Sequence, residues 1–265
     1  MGGHFLPFLL ELVIVFIIGA SGGSFANVVA LSYPDFRKIL VGRSACPNCQ
    51  HRLSWYELIP LISYVWQTGK CRSCERQIAP SYFWVELLTG TLFVSVYLVT
   101  MNVWQWWQVI ILFVLLVDWA VIFIHDWHTM DIPDAPIWFA VLLTVLLQYT
   151  FGVGALQTVL LAGVGAYLFI ALLRLIASLL LKQEAMGSAD AYVAALVGLL
   201  VGLPNIYFAL FASFVVGSVY GLILVYIGKK KSLQAKVPFA PALLIGGWLA
   251  LLWGQPVINW YLQAL

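Results

Sequence analysis

Two aspartates and four cysteines carry most of the chemistry open to this chain. Asp126, in Ile124-His125-Asp126-Trp127-His128, follows a long apolar run, and Asp190, after Met186-Gly187-Ser188-Ala189, precedes another. Carboxylates at the edge of apolar segments are costly unless they are partnered or employed. A pair of them suits general acid–base cleavage of a peptide. One carboxyl activates water while its neighbour holds a proton, because like charges sharing a site split their titrations. The cysteines form two CxxC pairs, Cys46-Pro47-Asn48-Cys49 and Cys71-Arg72-Ser73-Cys74. Four thiolates at this bite fit a tetrahedral zinc, although the stretch between the pairs is slightly longer than the usual zinc-site spacing. A four-sulfur shell leaves no open position, so the expected zinc is structural and folds a loop too small to hold itself together. The alternative is a pair of disulfides or free thiols, and disulfides are rare in a reducing compartment.

The elements that must position these residues are membrane helices. The 265 residues are 63% hydrophobic and only 9% charged, with mean hydropathy +0.98, which excludes a soluble globule with a polar surface. Apolar runs at 7–31, 83–101, 106–124, 136–151, 155–181, 191–203, 206–227 and 240–263 predict an all-α polytopic membrane protein with eight transmembrane helices. A small cytosolic zinc-binding lobe is expected between helices 1 and 2. The domains follow: 1–34 the first helix, 35–82 the four-cysteine lobe, and 83–265 a seven-helix membrane domain. The first apolar run is too long for the core of a cleavable signal and no Lys or Arg precedes it, so it is expected to stay as an anchor. With eight spans alternating, Arg37, Lys38, Arg43, Arg52, Lys70, Arg72, Arg76, Lys182, Lys229, Lys230, Lys231 and Lys236 fall in loops on one side, with Arg174 inside the fifth span toward that side. Positive loops stay in the cytoplasm, which places both termini outside. The formal charge of +2 gives no case for nucleic acid, and Lys229 to Lys231 are expected to face anionic lipids.

Other polar residues have simpler expectations. Asp131 and Asp134 flank Pro133 and are expected to cap the next helix or to be solvated. Asp118 and Arg174 lie at nearly equal depth, which predicts an ion pair between them. Glu86 and Glu11 are expected to hydrogen-bond to neighbouring helices. His51, His125 and His128 are expected as solvated loop residues. Trp55 to Trp66 is apolar but too short to span, so it reads as an interfacial or re-entrant segment. Gly19 to Ser24 is a small-residue stretch that permits close helix approach.

In their order along the chain these features resemble the type IV prepilin peptidases, the prepilin leader peptidases/N-methyltransferases. The likeness is carried by Gly23-Ser24-Phe25-Ala26-Asn27-Val28, by the run from Arg43 through Thr89 with both CxxC pairs, by Asp126 ahead of Ile132-Pro133-Asp134, by the segment at Asp190, and by Val237-Pro238-Phe239-Ala240-Pro241. The resemblance implies that Asp126 is the first catalytic aspartate and Asp190 the aspartate of the GxGD motif. The implied activity is an intramembrane aspartyl endopeptidase in the bacterial inner membrane, with its catalytic face cytoplasmic. It would remove a short basic leader after a glycine from prepilin-like or pseudopilin substrates. In many members S-adenosylmethionine then methylates the new amino terminus. Three positions depart from the pattern: Ala189 stands at the second glycine of GxGD, His128 at a commonly acidic position, and Tyr192 where a lysine is frequent. These variations look closest to the competence-pilus branch. The competing class is a non-enzymatic membrane scaffold or a transporter with proton-carrying acids, which would place its acids at mid-membrane beside broken helices.

Overall fold

The computed structural model describes residues 5–35, 44–46, 48–182, 184, 186–227 and 238–264. Arg37, Lys38, Arg43, Pro47, Lys229, Lys230, Lys231, Lys236 and Val237 lie outside the described residues. Among the described residues the regular structure is helical, apart from two isolated β-bridges in the cysteine region. The chain divides into two compact units, residues 1–124 and 125–265.

Among the described residues, six helices are long and apolar enough to cross a membrane. They are α1 (Phe5–Ser32), α3 (Pro80–Thr100), α4 (Trp106–Thr129), α6 (Val153–Leu181), α8 (Asn205–Tyr226) and α9 (Ala240–Ala264). The protein is therefore a multi-pass helical membrane protein. The other two apolar runs form shorter helices, α5 (Asp134–Tyr149) and α7 (Asp190–Val201). At 1.5 Å per residue α7 is about 18 Å long, well short of a hydrocarbon core of roughly 30 Å. Its side chains are buried along most of its length, including Val193, Ala194, Leu196, Val197 and Leu200.

In the first unit, α1 and α3 pack closely because small residues line the contact. A Cβ at Gly19 would lie 2.7 Å from Cβ of Phe93, and one at Gly23 would collide with the side chain of Thr89. Phe93 stacks on Phe113 at 4.3 Å, and Ala26, Ala30, Val121 and Ile124 form a buried cluster from α1 and α4. The cysteine lobe belongs to this unit and meets its helices through Glu86 and through Tyr64, whose ring lies 5.4 Å from that of Phe83. Glu86 of α3 accepts the Leu61 N–H at 2.7 Å and also interacts with Ser24 of α1. The lobe segment carries a 3-10 turn, Trp55–Leu58, and the single-turn α2 (Ile62–Trp66), and it leaves Trp55, Ile62, Val65 and Trp66 exposed.

In the second unit, α7 is central. Gly198 lets it approach α6 so closely that a Cβ there would lie 2.6 Å from the Ala162 carbonyl oxygen. Gln148 of α5 donates to the Leu200 carbonyl at 2.9 Å, which fixes the far end of α7.

One boundary differs from expectation in a way that matters for the site. The third apolar run was expected to end at residue 124, with Asp126 just beyond it, whereas α4 continues to Thr129 and carries Asp126 in its last turns. The polar residues keep the helix going. Thr129 Oγ1 donates to the His125 carbonyl at 2.8 Å, and the Met130 N–H closes on the Asp126 carbonyl at 2.9 Å before Met130, at φ +55°, ends the helix.

Candidate active site and metal centre

Asp126 and Asp190 both belong to the second unit, and both are buried, at 4% and 5% exposure. Asp126 comes from the end of α4, and Asp190 is the first residue of α7. The two are close enough for the Asp190 charge to act on Asp126. A third element joins them. The backbone N–H of Ala240, the first residue of α9, is a hydrogen-bond donor to both carboxyl groups. The N–H groups of a helix's first turn have no partner within the helix and bear partial positive charge, so this one is free to serve acids. Pro241, the next residue, suits the start of a helix because it has no N–H to lose.

Each aspartate has local support. The Gly187 N–H donates to Asp190, and a Cβ at Gly187 would sit 3.3 Å from Asp190 Oδ2, so the linker wraps tightly against the side chain it serves. Ala189 has φ −74° and ψ −20°, ordinary right-handed backbone that requires no glycine. Oδ2 of Asp126 is buried and has no hydrogen-bond partner among the described residues. Asp131 adds a further negative charge that acts on Asp126, while its Oδ1 accepts the Ile132 N–H at 2.9 Å. Asp134 lies in the first turn of α5 without a side-chain capping bond, the cap position being Pro133. His125, expected in a solvated loop, is buried on α4. Arg174 donates from Nε to the Met186 carbonyl at 3.2 Å. Asp118 Oδ2 is buried without a hydrogen-bond partner among the described residues.

Residues 17–100 match the family model described as the bacterial peptidase A24 N-terminal domain, and residues 110–222 match the type IV leader peptidase family. A prepilin leader peptidase/N-methyltransferase of Aeromonas salmonicida is 32% identical, aligned over 99% of this chain and 97% of its own length. The chain belongs to the type IV leader peptidase family. Two further relatives of the same printed name support the assignment. That of Aeromonas hydrophila is 33% identical over 98% of this chain and 96% of its own, and that of Bacillus subtilis is 29% identical over 95% and 98%. No solved structure matches the chain significantly.

The cysteine lobe of this leader peptidase forms two equivalent knuckles. In each, the N–H of the first cysteine bonds to a carbonyl five residues on: Cys46 to His51 at 2.9 Å, and Cys71 to Arg76 at 2.8 Å. The residue after the second cysteine has φ +57° in both, at Gln50 and Glu75, and an antiparallel bridge closes each loop at Ala45–Arg52 and Lys70–Gln77. The knuckles face each other. Cys46 Sγ lies 3.9 Å from Cys74 Sγ, Cys49 Sγ lies 3.9 Å from Cys71 Sγ, and one sulfur from each of the four falls within 4.8 Å of the others. These separations are far from the roughly 2.05 Å of a disulfide and fit the edges of a tetrahedral metal–thiolate site. The donor environment favours a thiolate at Cys46 and Cys74, whereas at Cys49 the His51 amide is outweighed by burial and the neighbouring thiols, which push it up to about 11. The backbone amides of Cys49 and Asn48 hold the Cys46 thiol below its usual range, and the Arg76 amide with the Asn48 side chain brings Cys74 down to about 6. Asn48 bridges the knuckles, accepting from Arg76 Nη1 at 2.6 Å and donating to Cys74 Sγ at 3.6 Å. The four cysteines can thus hold a zinc ion. His51 stands outside the cluster, with Nε2 3.5 Å from Glu57 Oε2.

Two contributors to the aspartate site had no assigned part in the sequence reading. Ala240 acts through its backbone, and its signal in the sequence was its place in the Val237–Pro241 segment that carries part of the family resemblance. Arg174 was assigned to Asp118 on depth alone, which ignores where the linker after α6 returns.

Proposed function

We propose that this chain is an intramembrane aspartyl endopeptidase that removes the short basic leader from type IV prepilin-like or pseudopilin proteins. Asp126 and Asp190 are its catalytic pair. The observation that carries the reading is the convergence of two buried carboxyl groups, from separate helices, on the single Ala240 N–H. A scaffold or a transporter gives no reason for that geometry. One carboxylate takes a proton from water as the oxygen attacks the scissile carbonyl, and the other gives its proton to the carbonyl oxygen. When the tetrahedral intermediate collapses, the leaving amine takes the proton first removed from water. The unpartnered Oδ2 of Asp126 offers a position for such a contact.

In this reading all eight apolar helices are membrane segments, α5 and α7 being the short ones. The site lies at the cytoplasmic face, where basic loops are retained, both termini are outside, and anionic lipids neighbour those loops. The domains remain an anchor helix at 1–34, the zinc lobe at 35–82 and the protease domain at 83–265. Zinc on Cys46, Cys49, Cys71 and Cys74 holds the lobe together and takes no part in hydrolysis, since four sulfurs fill its shell. The names of the relatives also support N-methylation of the new amino terminus. S-adenosylmethionine would supply the methyl group.

The test is a cleavage assay in reconstituted vesicles with a substrate carrying a basic leader, a junction glycine and an apolar helix, together with a labelled methyl donor. The expected result is a product shortened by the leader, with label at its new amino terminus. An intact leader after incubation with folded protein would refute the peptidase reading, and a cleaved but unlabelled product would refute only the methylation.

A further inference from the structure

The charges around the two carboxyl groups are not symmetric. Arg174 sits in the apolar sequence of α6, where an unsatisfied guanidinium is expensive. Its Nε donates to the Met186 carbonyl, and its charge acts on Asp190. Met186 lies in the linker before α7, and the next residue, Gly187, gives its N–H to the Asp190 carboxyl. One side chain therefore holds the linker at Met186 and lies near enough to the acid at its end for its charge to act there. Asp126 has the opposite surroundings: the charges acting on it are those of Asp190 and Asp131, both negative. Tyr192, two residues after Asp190, brings no cation. Its ring packs on Tyr167 of α6 at 5.3 Å, and Asp134 is the charge acting on it.

We infer that Arg174 is a positioning residue of the peptidase site: it fastens the Met186–Ala189 linker to α6 and marks Asp190 as the ionised member of the pair, leaving the shared proton on Asp126. This rests on the reading that the pair is catalytic, and it gives each acid a role. Asp190 removes the proton from water as the carbon–oxygen bond forms. Asp126, whose Oδ2 is unengaged, gives its proton to the carbonyl oxygen and regains one from the intermediate's hydroxyl as the carbon–nitrogen bond breaks. The proton held by Asp190 leaves on the amine, so the pair returns to its starting state with one water consumed. An opposite charge beside a carboxyl group favours its ionised form and like charges favour the protonated one, which is why the cation on the Asp190 side fixes the assignment.

Leader cleavage by Arg174→Gln and Arg174→Lys, with Asp190→Asn as reference, tests this across pH in vesicles. Arg174→Gln is expected to lower kcat roughly 10- to 100-fold with KM little changed, the scale set by a small misplacement of a catalytic group. Its acid limb is expected to move to higher pH, because Asp190 loses the neighbouring cation that favours its ionised form. Arg174→Lys keeps the charge and is expected to restore the wild-type pH profile and most of kcat. Wild-type rate and pH profile in Arg174→Gln would overturn the inference. So would equal loss of kcat in both variants with the profile unmoved, since that is the behaviour of a purely structural strap. Full cleavage by Asp190→Asn would instead strike the catalytic reading on which the inference stands.

Discussion

The metal centre permits a prediction with a length attached. In a regular tetrahedron each edge is about 1.63 times the centre-to-vertex distance, so the two sulfur–sulfur separations of 3.9 Å imply a metal–sulfur distance of about 2.4 Å, against about 2.3 Å for zinc–thiolate bonds. The other sulfur pairs lie within 4.8 Å, so loading the ion draws the widest of them inward by at most about 1 Å. X-ray absorption at the zinc edge of the purified protein should therefore show a first shell of four sulfurs at about 2.3 Å, with no nitrogen or oxygen in it. Cys74→Ser should lose the metal and open the lobe between the knuckles to limited proteolysis, because the loop has few buried side chains besides Cys46 and Cys71 to hold it. A first shell containing light atoms would bring in a ligand such as His51 or water and refute the closed four-sulfur site. A sulfur–sulfur distance of about 2.05 Å with no metal would refute it more completely.

Two further outcomes follow from backbone geometry. Gly198→Ala places a methyl group 2.6 Å from the Ala162 carbonyl oxygen, and overpacking of this kind typically costs about 1–3 kcal/mol, whereas Gly165→Ala meets nothing within 4 Å. Thermal unfolding in detergent should show a clear loss for the first and almost none for the second; equal behaviour would contradict the close α6–α7 contact. Ala189→Gly should leave leader cleavage within about twofold of wild type, because its right-handed φ of −74° makes no demand that only glycine meets. A large gain in rate would show that the methyl group of Ala189 obstructs the site.

Much of the fold was legible because apolar run length is a strong signal in a membrane protein. The expected runs and the observed helices coincide closely at most ends, as at 240–263 against Ala240–Ala264 and 206–227 against Asn205–Tyr226. What hydropathy could not tell was helix length and surroundings: the run at 191–203 forms the 12-residue helix Asp190–Val201, most of whose side chains are buried against protein, and hydropathy does not separate lipid from protein as the apolar neighbour. The cysteine spacing was readable as a site because two CxxC pairs have few other uses, and the equivalent knuckles follow from local hydrogen bonds within each. The aspartates were readable as unusual but not as neighbours. Ala240 of α9 comes back to both, a long-range contact carried by a backbone N–H, which residue type alone does not specify. Arg174 shows the same gap. Depth along a helix placed it level with Asp118, but only the path of the linker after α6 shows that it holds Met186 and acts on Asp190.

The central claim is that Asp126 and Asp190 act as one catalytic unit, and rates of leader cleavage for Asp126→Asn, Asp190→Asn and the double variant test it most directly. Residues that work as a unit are strongly non-additive, so each single variant should fall to the same residual rate as the double, with membrane insertion and zinc content unchanged. Cleavage retained by either single variant, or losses that multiply in the double, would contradict the account.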